Sequence, residues 1–287
     1  MKTLTKDAKT EAKDAKTAAN DAKAEAKAAP KPDTKADPKA DVKFAWKAEA
    51  TKVLPRLAKA AVVRPALSWN EIADLHERDA DFRRVYENIA QRIFLRTENA
   101  DKRVFLVTSA VAGEGKTMTA VNLAAALARG GQRTLLIDGN RRHPAAGPLF
   151  GSAALPGLTE VLSGETARDV AIVEDARLAA LRMLPVGRTN GESWDVFVSS
   201  AFQVFVDELR QTNDYVLIDA PAMSESTDPA SFAKRADGVL LVVACDRTPR
   251  KSVLEARDRL LAIGANIIGV VMNRVPDYVP SYFRDSL

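Results

Sequence analysis

Six short apolar runs, set apart by longer segments of a different pattern, constrain this chain more than any other feature. They are "RVFLVT" at 103–108, "RTLLID" at 133–138, "LRMLP" at 181–185, "YVLID" at 215–219, "GVLLVVA" at 238–244 and "ANIIGVVMN" at 265–273. Unbroken apolarity of this length marks strands covered on both faces, since a strand with one wet face alternates. The stretches 116–129, 192–210 and 247–263 have helical length and composition and fall between runs. Strands alternating with helices predict an α/β fold, a single domain built on a mainly parallel, doubly wound sheet. Upstream, about 70–98 is expected to form a helix with Phe82, Val85, Ile89 and Ile93 on one stripe.

In a sheet of this kind ligands gather where strands end, and three of the runs end in chemistry. The first is followed by "AVAGEGKT" at 110–117, a Walker A pattern in which Ala110 stands where the strict form has glycine. Gly113 and Gly115 allow the backbone to approach an anion, and a helix N-terminus follows to receive it. The phosphate cradle is expected to run from Gly113 through Glu114, Gly115, Lys116 and Thr117 to Met118. Lys116 would bridge the β- and γ-phosphates, and the Thr117 hydroxyl would face Mg²⁺. The second and fourth runs end in Asp138 and Asp219, carboxylates at the same sheet edge, suited to holding Mg²⁺ directly or through water. The site read from these residues takes ATP with Mg²⁺.

Charge divides the chain. Residues 1–65 carry 16 lysines and arginines against 9 acids, leaving 26 against 29 of the chain's 42 and 38 for the rest, so the basic balance belongs to the N-terminal part. That part is low-complexity and has no apolar stripe, so residues 1–66 are expected to be a disordered basic tail and linker before a P-loop domain at 67–287. Its mixed signs, without interleaved aromatics, argue against nucleic acid. A single cysteine, Cys245, excludes an internal disulfide framework and suits a reducing compartment; within an apolar run it is expected to be a small buried hydrophobe. No apolar run reaches the ~18–20 residues of a membrane span and the N-terminus lacks a signal-like apolar region, so a cytoplasmic protein is expected. His76 and His143 have no metal-ligand spacing.

Together, "VTSAVAGEGKT", "LLIDGNRRHP" and "VLIDAPA" resemble the Walker A, Walker A′ and Walker B stretches of the bacterial tyrosine kinases of capsule and exopolysaccharide synthesis, within the deviant Walker-A ATPases. "PGLTEVLSGE" at 156–165, "ADGVLLVV" at 236–243 and "GANIIGVVMNRV" at 264–275 are similar to accessory phrases of that family, and the resemblance covers about 80–275. It implies transfer of the ATP γ-phosphoryl group to protein tyrosines, the protein's own Tyr278 and Tyr282 included. It also implies homo-oligomerisation and a membrane-spanning polysaccharide chain-length regulator whose cytoplasmic tail recruits and activates the kinase at the inner membrane face. By position Lys116, Asp138 and Asp219 are the catalytic group, Thr117, Asp138 and Asp219 the metal group, and Asn273 the residue that meets adenine; Arg142 matches the A′ arginine.

The chain departs from the family pattern at four places. Asn140 replaces the second A′ aspartate, and an amide is no carboxylate base, though it can orient a hydroxyl. Ala222 replaces the second Walker B proline. Of the helical E-x-x-R-x-x-R pattern only Arg83 is kept, between Ala80 and Tyr86, and the C-terminal tyrosine cluster is reduced to Tyr278 and Tyr282. A catalytically weak, nucleotide-gated regulator of the same membrane partner is the alternative. A partition-type ATPase is disfavoured because Val111 stands where that class carries a second lysine.

Overall fold

The structure, a computed structural model, describes residues 68–97, 103–152, 155–188 and 197–275. The expected basic tail, the first residues of the helix expected from 192, and Tyr278 and Tyr282 lie outside the described residues.

The chain enters through two helices, α1 (Trp69–Arg78) and α2 (Ala80–Thr97), where the sequence pattern predicted one. The break falls at Asp79, whose backbone leaves helical geometry and whose carboxylate accepts from the Phe82 N–H at 2.9 Å, capping the new helix. Ser68 and Glu71 form a capping box at the start of α1. The predicted stripe is real: Phe82, Val85, Ile89 and Ile93 are buried in the core.

Each of the six apolar runs is a strand. The order along the chain is β1 (Val104–Ser109), α3 (Lys116–Arg129), β2 (Thr134–Asp138), three short helices, α4 (Ala146–Leu149), α5 (Leu158–Leu162) and α6 (Arg168–Ala171), then β3 (Val173–Glu174), β4 (Leu181–Leu184), α7 (Ser200–Thr212), β5 (Tyr215–Asp219), α8 (Asp228–Ala233), β6 (Gly238–Ala244), α9 (Arg250–Ala262) and β7 (Ile267–Asn273). They form one sheet in the order β3-β4-β2-β5-β1-β6-β7, parallel throughout except for the two-residue β3.

Side chains alternate between two cores. Phe105, Val107, Leu136, Leu217, Leu240 and Val242 pack under α1, α2 and α3, while Val104, Leu106, Leu135, Ile137, Ile218 and Leu241 pack under α7, α8 and α9. Burial on both faces accounts for the unbroken apolarity of the runs. β7, at the edge, is only partly buried. The chain leaves β1 toward β2 in one direction and passes from β5 across β1 to β6 in the other, which puts the topological switch at the carboxyl end of β1.

The opposite edge of the sheet is held by charge. Asp237 accepts from the Arg103 and Val104 N–H groups at 2.8 Å each and from Arg210, tying β1, β6 and α7 together. Asp214 pairs with Arg133 in the same way beside β2 and β5.

Candidate functional site

The glycine loop lies at that switch point, between β1 and α3. Gly113 and Gly115 have φ of +76° and +90°, a region closed to ordinary side chains, and a Cβ on Gly115 would collide with the Asn273 amide. The first helical bond of α3 runs from the Thr119 N–H to the Gly115 carbonyl at 2.9 Å. The amides ahead of it, those of Lys116 to Met118, therefore have no partner within the helix and form a positive N-terminus. Lys116 is only 8 % exposed, a cation drawn into the fold at the mouth of the loop. Met118 is half-buried against the core, so its backbone, not its side chain, belongs to the cradle.

Asp138 and Asp219 are register partners at the ends of neighbouring strands β2 and β5, and Asp219 also lies beside Val107 near the end of β1. Neither has any solvent exposure. Their environments differ. Both Asp138 oxygens are used: Oδ1 accepts from the Asn140 N–H at 3.0 Å, and Oδ2 accepts from the N–H groups of Ala145 and Gly147 at 3.1 and 3.0 Å. Asp138 thus folds the 140–147 loop around itself. Asp219 is buried and neither oxygen makes a well-formed hydrogen bond, the Thr117 hydroxyl lying close enough only to favour the ionised carboxylate. Burial first, then the neighbouring Asp138 charge, pushes its carboxyl up to about 7, while Thr117 and Lys116 pull the other way. Asp138 is also raised, by burial, against the backbone amides that favour its ionised form.

Two adjacent carboxylates, one of them unpartnered, face a threonine and a lysine on the phosphate loop. An orphaned buried anion is costly, and a bound cation removes that cost. The residues present therefore fit a magnesium ion. Among the described residues no group of three or more His, Cys, Asp or Glu side chains converges as a metal cluster. Magnesium at this place would take its remaining ligands from phosphate oxygens and water, its usual habit in phosphoryl-transfer sites.

The loop after β2 carries Asn140, 3 % exposed, whose Oδ1 accepts from the His143 N–H at 3.1 Å and shapes the turn. Arg141 lies over the Phe197 ring, 4.9 Å from its centre, while Arg142 and His143 are exposed. Ala222 uses a group that proline lacks: its N–H donates to Glu225 at 3.2 Å, closing the turn after β5. Asn273 stands at the end of β7 against the loop, its amide donating to the Glu114 carbonyl at 2.8 Å and accepting from the Arg274 N–H. Gly113, Glu114, Gly115, Lys116, Thr117, Asp138, Asp219 and Asn273 are thereby gathered at one edge. Arg83 lies elsewhere, in α2, where it donates to the His76 carbonyl and pairs with Glu87. Cys245 is half-buried at the end of β6.

Sequence reasoning missed what the Glu114 side chain does. Its carboxylate is bonded into β6 and the following loop, through Ala244 and Thr248. Nothing in the motif announces these partners, which are some 130 residues away in the chain.

Residues 105–281 match the CobQ/CobB/MinD/ParA nucleotide binding domain. The chain belongs to that family. The relatives it matches include tyrosine-protein kinases and a succinoglycan biosynthesis transport protein. The tyrosine-protein kinase CpsD of Streptococcus pneumoniae serotype 4 is 32% identical over 63% of this chain and 79% of its own length. The succinoglycan biosynthesis transport protein ExoP of Rhizobium meliloti is 35% identical over 61% of this chain, which spans only 22% of that longer protein. Among solved structures, the VpsO kinase domain superposes with a TM-score of 0.61 at 32% identity, covering 66% of this chain and 93% of that domain. This member of the nucleotide-binding family shares the overall fold of that kinase domain. Among its described residues no helix is long and apolar enough to cross a membrane.

Proposed function

We propose that this chain is an ATP-dependent protein-tyrosine kinase of polysaccharide synthesis, transferring the γ-phosphoryl group of Mg²⁺-ATP to tyrosine. The observation that carries the reading is the unpartnered Asp219 carboxylate, buried beside Thr117, Lys116 and Asp138 under a preformed glycine loop. Bound Mg²⁺ would supply charge neutralisation at the phosphates. The protein's own residues do the rest by position. Lys116 and the loop amides hold the phosphates and stabilise charge that develops in transfer. Thr117 and Asp219 are the residues that would hold the metal. Asp138 adds a second negative charge to that place and fixes the 140–147 loop through three backbone amides; it has no solvent exposure, so it meets a tyrosine hydroxyl only if that loop opens. Asn273 is the residue assigned to the adenine by position in the family, and its side-chain amide is bonded to the Glu114 carbonyl and the Arg274 N–H at the edge of the loop. Acceptor tyrosines, Tyr278 and Tyr282 among them, a second copy of the chain, and a membrane-bound regulator of chain length with an activating cytoplasmic tail complete the proposal.

One observation favours a second reading, a nucleotide-gated regulator with little transfer: at the position of the second A′ carboxylate the structure has the amide of Asn140, serving a turn. Incubation with labelled ATP and Mg²⁺ in the presence of the partner's tail, followed by phosphotyrosine mass spectrometry, separates the two. The kinase reading expects label on Tyr278 or Tyr282, with Lys116→Met lowering it at least about 100-fold. Tight ATP binding without label, and label gained in Asn140→Asp, would support the regulator.

A further inference from the structure

The residue between the two glycines of the phosphate loop is the one member of that turn with a long side chain, and it is 1 % exposed. Glu114 Oε2 accepts from the Val111 N–H at 2.8 Å, across the turn. Its Oε1 accepts from the Ala244 N–H at 3.1 Å, at the end of β6, and from the Thr248 hydroxyl in the loop leading to α9. The Glu114 carbonyl in turn accepts from Asn273 at 2.8 Å. Four segments of the fold therefore converge on one residue, whereas the bonds to the loop from Met223, Ser224 and the Ser109 hydroxyl hold only its first residues, 109–111. A Cβ on Gly113 would meet nothing within 4 Å, and glycines on both sides leave the backbone free to leave its left-handed wells.

We infer that Glu114 is a positioning residue: its carboxylate locks the glycine loop into the phosphate-receiving shape before nucleotide arrives, with Thr248 as the link from α9. The inference rests on the nucleotide reading of the site. A carboxylate in the middle of an anion cradle would repel a polyphosphate if it turned toward it; here both oxygens are bound to donors of the fold. Hydrogen bonds to a charged acceptor are the stronger kind, and those made by a carboxylate buried this deeply are not screened by water. Residues Ser252 and Ala256 of α9 line a cleft of about 370 Å³ together with Val111, so α9 itself also borders the loop.

The test uses the full chain, wild type, Glu114→Ala, Glu114→Gln and Thr248→Val, with three readouts: calorimetric ATP affinity in Mg²⁺, amide hydrogen exchange without ligand, and the thermal midpoint. Wild-type protein that takes up no ATP would refute the nucleotide reading itself, a result separate from those that follow. Given wild-type binding, Glu114→Ala should lose roughly 10- to 100-fold in ATP affinity, the size expected for releasing charge-assisted hydrogen bonds. In the same variant the amides of 111–117 should exchange faster while those of β1 and β5 keep wild-type rates. Glu114→Gln, which keeps an acceptor oxygen, should recover part of the loss, and Thr248→Val should lose about threefold, the size of one hydrogen bond among several. Affinity within twofold of wild type in Glu114→Ala would overturn the inference. So would acceleration of exchange spread evenly over the sheet, which marks a merely structural role. If Glu114→Ala does not fold, Thr248→Val decides alone: wild-type affinity and wild-type loop exchange in that variant would overturn it.

Discussion

At the scale of single residues the site is governed by one electrostatic conflict. Asp219 lies without a well-formed hydrogen bond next to a second buried carboxylate, and its carboxyl is pushed up to about 7 from the usual 3.8. Between those two values the folded protein binds more protons than the unfolded chain. The stabilisation from protonation is therefore complete below about pH 4 and is lost as pH rises through about 7. Asp138, raised by burial, acts in the same direction. The ligand-free thermal midpoint should accordingly fall between about pH 5 and pH 7.5, and Asp219→Asn should flatten that slope while abolishing magnesium-dependent nucleotide uptake. Calorimetric melting across that range checks both. Magnesium selects the ionised pair, so Mg²⁺-ATP binding should release protons and weaken below about pH 7, measurable in buffers of different ionisation enthalpy. Gly115 offers a simpler prediction: Gly115→Ala forces a side chain into the Asn273 amide at positive φ and should reduce ATP affinity at least about tenfold.

At the scale of elements, stability and function separate. Phe82 is buried where α1, α2 and α3 meet, against His76 and Tyr86 in edge-on contacts. His76 bonds to Asn122 of the phosphate-loop helix at 2.9 Å, and burial lowers its pKa, so it serves as a neutral core residue of the α1–α3 packing. Phe82→Ala should cost about 3–5 kcal/mol in chemical denaturation. Asp237, at the sheet edge opposite the site, should cost about 3 kcal/mol as Asp237→Ala, since two backbone amides and Arg210 lose one acceptor together. In that variant ATP affinity per folded molecule should stay at the wild-type level. The strands were legible because burial on both faces gives a pattern that neither turns nor amphipathic helices share. The break at Asp79 was not, because an acid that caps one helix and ends another is composed like any polar residue of a longer helix; the apolar stripe continues across it. β3, two residues paired antiparallel to β4, carries no periodicity to read.

Across the whole molecule, the site is an outcome of topology. Residues 113–117, 138, 219 and 273 are distant in the chain, yet parallel strands deliver their ends to one edge, and the reversal of strand order at β1 leaves the crevice there. That convergence could be argued from motifs at strand ends before any coordinates. What each side chain does there could not: the sequence gives Asp138 and Asp219 the same form, an acid after three apolar residues, and only packing shows one held by three backbone amides and the other without a well-formed hydrogen bond. Glu114 has the same lesson, a motif position whose partners come from β6 and the loop beyond it. The central claim is that this edge takes up Mg²⁺ and ATP together. Isothermal calorimetry of the full chain with ATP, with and without Mg²⁺, tests it most directly. The account predicts saturable one-to-one binding that strengthens at least about tenfold with Mg²⁺ and is lost in Lys116→Met. Folded wild-type protein that binds ATP equally well without magnesium, or does not bind it at all, would contradict it.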